Sequence, residues 1–370
     1  MKYYIIAGEA SGDLHASNLM KALKKVDAEA DFRFWGGDLM QEVGGTLVKH
    51  YRDLAFMGFA EVIMNLRTIF KNIKFCKTDI ETYQPDVLVF IDYPGFNFRI
   101  AKWAKQQGYK THYYISPQIW AWKENRIKAI KRDINEMYVI LPFEKDFYEK
   151  KHDFPVHFVG HPLLDALRER QPVSLKAFCK AHQLNEKPII ALLPGSRKQE
   201  ISKMLSVMLS VVEDFPGYQF VIAGAPGQEP TFYKQFIGQS RVSFVQNKTY
   251  DLLTVSTAAL VTSGTATLET ALFKVPEVVC YKGSYISYQI AKRIINLDYI
   301  SLVNLIMDKL VVKELIQNEF NAKQLKTELD KILDESHRKL LFSDYFDLEQ
   351  KLGGAGASLK TAKLIFEKLN

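Results

Sequence analysis

Five short loops in this 370-residue chain carry residue types that suit a phosphorylated sugar and a hydroxyl to be activated. The first, Gly8-Glu-Ala-Ser-Gly-Asp13, sets Glu9, Ser11 and Asp13 between two glycines that permit a tight turn. Glu9 and Asp13 are either acceptors for sugar hydroxyls or plain turn residues, and Ser11 or Asp13 can cap the helix that follows. The dinucleotide spacing Gly-x-Gly-x-x-Gly is missing, and an acidic Glu9 opposes a pyrophosphate, so a nicotinamide site is not expected. The second, Phe90-Ile-Asp-Tyr-Pro-Gly-Phe-Asn97, ends an apolar strand in Asp92. Partial desolvation there would raise its pKa toward the range of a general base; the competing use is a cap for the next helix. The third, Ser116-Pro-Gln-Ile-Trp-Ala-Trp122, puts Ser116, Trp120 and Trp122 beyond a strand, where they line a binding surface or bury a domain edge.

The other two loops suit anions. In Leu193-Pro-Gly-Ser-Arg197, Gly195 and Ser196 offer backbone donors and Arg197 can pair two phosphate oxygens at once. In Ser263-Gly-Thr-Ala266 the amides of Ser263, Gly264 and Thr265 open a helix whose positive end suits a diphosphate, and Glu269, one turn on, suits a ribose. Two anion loops in the second half, and acidic or aromatic loops in the first, predict a nucleotide-sugar glycosyltransferase of the GT-B type.

These loops need strands to carry them. Short β-branched and aromatic runs at 3–6, 32–35, 87–91, 111–115, 137–141 and 157–159 alternate with segments of helical period. After a plausible linker at 168–173, a second series follows at 189–193, 220–223, 243–245, 258–262 and 278–281. The pattern predicts an α/β protein of two doubly wound Rossmann-like domains facing each other across a cleft. The first, 1–165, would bind the acceptor and the second, 166–345, the nucleotide-sugar donor. A last helix, about 355–370, is expected to pack back on the first domain or to exchange with a second subunit, giving a homodimer.

Composition narrows the classes further. The chain is 47% apolar with 49 basic and 42 acidic residues, a net +7, and a sequence pI near 9.0. That excess suggests an anionic partner without naming it. Aromatic and basic residues do not interleave as on a nucleic-acid-binding sheet, so nucleic acid is not expected. Cys76, Cys179 and Cys280 share no metal or redox spacing, and no metal or cofactor is expected. No apolar run is long enough to span a bilayer, and the start reads as a strand and not as a signal peptide.

The motifs are more specific than the physics. Gly8-Glu-Ala-Ser-Gly-Asp13, Met57-Gly-Phe-Ala-Glu-Val62, Ile91-Asp-Tyr-Pro-Gly-Phe-Asn97, Ser116-Pro-Gln-Ile-Trp-Ala-Trp122, Leu141-Pro-Phe-Glu-Lys145, Gly160-His-Pro162, Leu193-Pro-Gly-Ser-Arg197, Ser263-Gly-Thr-Ala266 with Glu269, and Tyr299-Ile-Ser-Leu-Val-Asn304 are collinear over most of the chain. Together they resemble the lipid-A-disaccharide synthases. The resemblance implies a metal-independent, inverting GT-B enzyme that joins UDP-2,3-diacylglucosamine to 2,3-diacylglucosamine 1-phosphate (lipid X) through a β-1,6 bond and releases UDP. It also implies a cytoplasmic protein peripheral on the inner face of the inner membrane of Gram-negative bacteria. Asp92 matches the family's essential aspartate, with Glu9 as the alternative base; Arg197, Glu269 and Asn304 match positions associated with UDP or with activity. Two positions depart from the family's pattern: Gly95 stands where a second carboxylate is common, and Val303 where a proline often precedes the asparagine.

A protein that handles acyl chains needs an apolar surface. Phe59, Val62, Ile63, Leu66, Ile69, Phe70 and Ile73 fall at helical spacing, with Arg67, Lys71 and Lys74 on a flank. They form either a core-facing helix or an interfacial one whose lysines meet lipid phosphates. A second basic run, 123–132, is a solvated face or a contact for the phosphate of lipid X. A UDP-sugar 2-epimerase shares the fold and the phosphate-loop logic, and is the main rival.

Overall fold

The computed structural model describes the chain apart from residues 55–65, 169, 172, 226–227, 239 and 285–297. It divides into two compact units, Met1–Glu169 with Leu352–Asn370, and Arg170–Lys351. Each is built on one parallel sheet. In the first, β1 (Lys2–Ala7), β2 (Asp31–Gly36), β3 (Thr46–His50), β4 (Val87–Ile91), β5 (Lys110–Tyr114), β6 (Glu136–Val139) and β7 (His157–Phe158) lie in the order β3-β2-β1-β4-β5-β6-β7. In the second, β8 (Ile189–Leu193), β9 (Gln219–Gly224), β10 (Val242–Gln246), β11 (Ser256–Thr262), β12 (Glu277–Tyr281) and β13 (Glu314–Ile316) lie in the order β10-β9-β8-β11-β12-β13.

Helices cover both faces of a doubly wound sheet, so its central strands are apolar at every position and lose the alternation of a half-exposed strand. Val87–Ile91 and Ile189–Leu193 are buried throughout. The two strands absent from the sequence reading, β3 and β13, are edge strands. Thr46–His50 is only half-buried, and Glu314–Ile316 is three residues long, so neither shows an apolar run.

The strand orders place the loops. Beside β1 the winding reverses, since β1 pairs with both β2 and β4, and Ala7 lies opposite Ile91. The loops that begin at Gly8 and Asp92 therefore leave the sheet side by side. In the second unit β8 pairs with β9 and β11, with Leu193 opposite Val261, so the loops beginning at Pro194 and Ser263 are neighbours as well. Such reversals are where doubly wound sheets open a crevice for ligands.

The C-terminal segment returns to the first unit, where helix Ala357–Glu367 packs against helix Ala10–Val26. Asp165 fixes its start by accepting from the N–H groups of Gly356 and Ser358, and Lys360 donates to the Phe158 carbonyl at 2.7 Å. Among the described residues no helix is long and apolar enough to cross a membrane.

Candidate active site

In the first unit Glu9, at the turn after β1, and Ser11, in the first turn of the helix Ala10–Val26, are exposed, while Asp13 is buried. Neither Ser11 nor Asp13 caps the helix Ala10–Val26; the residue at its start is Glu9, without a side-chain bond. Asp13 instead accepts from the N–H groups of Gly37, Leu39 and Met40 and so caps the neighbouring helix Asp38–Val43. Gly8 is required by its neighbour, because a Cβ there would run into the ring of Tyr93.

Asp92 is half-buried at the end of β4 and does not cap the helix Pro94–Gln106, whose first flanking residue is Tyr93. Asp92 and Tyr93 both have left-handed backbones, with φ of 42° and 49°. Each such residue costs about 1–3 kcal/mol unless its surroundings fix it, a strain that gathers at functional sites. Burial first, and then the charge of Glu9, push the Asp92 carboxyl up to about 6, while the Tyr93 N–H works the other way. A carboxylate at that value is ionised at neutral pH and basic enough to accept a hydroxyl proton.

The tryptophan loop is organised by a residue the sequence reading passed over. Glu144 is fully buried, and its carboxyl accepts from Ser116 Oγ (2.5 Å), Trp120 Nε1 (3.3 Å) and the N–H groups of Ile140 (3.1 Å) and Leu141 (2.9 Å). Burial raises its pKa to about 7 against the pull of these donors. Ser116 is buried with its hydroxyl committed to Glu144, so the expected contact between that hydroxyl and an acceptor gives way to an internal bond. Trp120 stands edge-on to Phe143, and Trp122 remains 53% exposed with the Lys123 ammonium 3.9 Å from its ring centre. The visible signal for Glu144 was its place in Leu141-Pro-Phe-Glu-Lys145, three residues into a helix that opens on proline.

In the second unit Gly195 has φ of +106°, and a Cβ there would crowd Glu200. Arg197 flanks the helix Lys198–Leu209; its side chain is exposed, and Nη1 lies 3.8 Å from Glu200 Oε1. Ser196 is exposed beside it, and its carbonyl accepts from Gln228 Nε2 at 3.0 Å. At the neighbouring loop the expectation for Ser263 fails. Its N–H donates to the Cys280 carbonyl and its hydroxyl to the Ile300 carbonyl, both at 3.0 Å. At the start of helix Thr265–Leu272, Gly264 and Thr265 are both exposed. Glu269 is half-buried and accepts from the Tyr250 hydroxyl at 2.8 Å, a partner that the sequence did not suggest, and burial raises its pKa.

Asn304 is fully buried, and its amide is spent within the protein. Nδ2 donates to the Val312 carbonyl and to Glu314, both at 2.9 Å, and Oδ1 accepts from the N–H groups of Val311 and Val312. The expected side-chain contact with UDP is thereby replaced by a role in shaping the segment 300–314. Glu314 shares that work, accepting from the N–H groups of Ile300 and Ser301.

Phe59 and Ile63 lie outside the described residues. Helix Leu66–Tyr83 buries Ile73, Cys76 and Ile80, whereas Lys71 and Lys74 are exposed and Phe70 and Phe75 are 61% and 47% exposed. Of the two uses open to this stripe, Ile73 takes the core and Phe70 the surface. All three cysteines are free and buried.

With this geometry in view, comparison with known proteins is specific. The family model described as lipid-A-disaccharide synthetase matches residues 3–363. A lipid-A-disaccharide synthase of Geobacter metallireducens is 38% identical over 373 residues, covering 99% of this chain and 96% of the relative. Among solved structures, a UDP-GlcNAc 2-epimerase from Neisseria meningitidis bound to UDP-GlcNAc aligns with a TM-score of 0.66 at 14% identity, covering 100% of this chain and 99% of that one. The glycotransferase of kitacinnamycin aligns at 0.63 and 14%, again over 100% and 99%. Those two likenesses show a shared fold, the two-domain GT-B type, and the near full-length match shows more: the chain belongs to the lipid-A-disaccharide synthase family of glycosyltransferases.

Proposed function

We propose that the chain transfers 2,3-diacylglucosamine from UDP-2,3-diacylglucosamine to the 6-hydroxyl of lipid X in one inverting displacement. The observation that carries the reading is Asp92, a half-buried carboxylate raised to about 6 beside the loop of Glu9. Asp92 takes the proton of the 6-hydroxyl as that oxygen attacks the anomeric carbon, and UDP departs from the opposite face. Glu9 is exposed, and its charge supports the basicity of Asp92. In the second unit Arg197, the turn at Gly195–Ser196 and the amides of Gly264 and Thr265 meet the diphosphate, with Glu269 at the ribose. By analogy with the preorganised donors of an oxyanion hole, these groups together would supply about a few kcal/mol as charge develops on the leaving diphosphate.

The test is turnover by the purified chain given both lipid substrates. Asp92→Asn is expected to lower kcat by at least about a hundredfold, the lower end of general-base effects, with UDP affinity unchanged. Near-normal turnover would move the base to Glu9. Conversion of a UDP-sugar to its 2-epimer without lipid X, with UDP still attached to the product, would favour an epimerase; UDP release that depends on lipid X favours the transferase.

We further propose that the first unit carries the membrane contact. Helices Leu66–Tyr83, Pro94–Gln106 and Ile127–Asp133 pack side by side and hold ten basic and three acidic residues, a net +7. Phe70 and Phe75 are exposed among these cations, which suits an anionic lipid surface.

A further inference from the structure

The left-handed pair at the end of β4 is fixed by two donors to which the proposed reaction gives no role. The Asp92 carbonyl accepts from the hydroxyl of Tyr113, near the end of β5, and from Asn97 Nδ2, one turn into helix Pro94–Gln106, at 2.7 Å. Both donors are fully buried, and Nδ2 also reaches the Ile91 carbonyl at 3.4 Å. Beyond them the Tyr93 ring packs over Gly8 and stacks on Phe96, with centroids 5.8 Å apart. A residue with a Cβ rarely adopts φ near 45°, and free of restraint it would relax to an ordinary backbone.

We infer that Tyr113 and Asn97 are positioning residues: by gripping the Asp92 carbonyl they hold the left-handed backbone that sets where the Asp92 carboxylate lies and how deeply it is buried. The inference rests on the reading of Asp92 as the base. Neither residue touches substrate; they act through the peptide of the one that does. The titratable groups that face the carboxyl are Glu9 from the loop after β1, its neighbour Tyr93, and Tyr113 from β5. Among the described residues no ion pair joins Asp92. Its proton affinity is therefore governed by burial, which is what a relaxed peptide would change.

The experiment is the pH profile of kcat, with both substrates saturating, for the full chain, Tyr113→Phe, Asn97→Ala and Asp92→Asn. In the unaltered chain the acid limb is expected near pH 6, where the Asp92 carboxyl titrates. Tyr113→Phe and Asn97→Ala are each expected to lower kcat at least about tenfold and to move the limb at least about half a pH unit toward the ordinary carboxylate range, as the freed carboxyl hydrates. A packing defect would lower kcat without moving the limb, so an unmoved limb in both variants overturns the inference whatever kcat does. Should Tyr113→Phe fail to fold, Asn97→Ala removes the second donor and gives the same readout. Asp92→Asn separates the failures: if it is inactive while the limb stays fixed in the other variants, the positioning role alone falls. If it turns over normally, the assignment of the base falls and the inference with it.

Discussion

Glu144 draws four donors onto one buried carboxyl group, and two of them belong to the tryptophan loop. A buried donor stripped of its acceptor loses its full desolvation cost, about 1–3 kcal/mol. Glu144→Ala is therefore expected to destabilise the first unit by at least about 3 kcal/mol, read as an earlier transition of tryptophan fluorescence in urea. Glu144→Gln keeps the volume but turns a donor toward donors, and should fall between that variant and the unaltered chain. Equal midpoints for all three would show that the pin carries no load. The same competition explains which site residues were legible. Asp92 stands out in sequence as a candidate because an apolar strand delivers it to the loop beyond its carboxyl end, and Arg197 because a long cation after a glycine turn has little use inside the protein. Ser116, Ser263 and Asn304 could not be sorted this way. A hydroxyl or amide at a strand end serves a ligand or the protein's own buried backbone equally well, and only geometry shows which demand took it.

Elements inherit their legibility from how much of them is buried. The central strands announce themselves as unbroken apolar runs, and the loops after them followed directly. Edge strands such as Thr46–His50 carry polar residues to protect an exposed flank, which erases the periodic signal. The C-terminal helix was visible as an element, while its seat depends on Asp165 and on the Gly160–His161 turn far away in sequence. His161 N–H donates to the Leu352 carbonyl at the head of that segment, and its Nδ1 accepts from the Leu163 N–H at 3.2 Å. Burial lowers its pKa from 6.5 to about 3, so the folded ring stays neutral where an unfolded one takes a proton. This contribution is complete above pH 6.5 and is lost as the pH falls toward 3, by about 1.4 kcal/mol per pH unit. The raised carboxyls of Asp92 and Glu144 act in the opposite sense, so the effect must be read as a difference. His161→Asn keeps an acceptor near Nδ1 and removes the titration. Relative to the unaltered chain its Tm should rise between pH 7 and pH 5; a constant difference would show that the imidazole titrates freely in the fold.

At the scale of the whole molecule the charge excess has a location. The three adjacent helices of the first unit carry a net +7, equal to that of the entire chain, so the remainder is balanced. The order of residues along the chain hides this, since the excess is a property of one helical layer assembled from three separated stretches. Two of the layer's three acidic residues are already paired: Asp79 with Arg33 at 2.5 Å and Asp133 with Arg132 at 2.6 Å. The exposed cations therefore act on their surroundings. Near an anionic bilayer each is worth about 1 kcal/mol, and the force falls away within a Debye length of about 8 Å at physiological salt. Lys71→Glu with Lys74→Glu changes the layer by four charges and is expected to weaken flotation with anionic phospholipid vesicles at least about a hundredfold. Phe70→Ser should weaken it less, and with little dependence on salt, since it removes burial and leaves the charge. Zwitterionic vesicles should bind both forms weakly. Equal flotation of the charge-reversed and unaltered chains on anionic vesicles would mean that another surface meets the membrane and that this layer is only solvated.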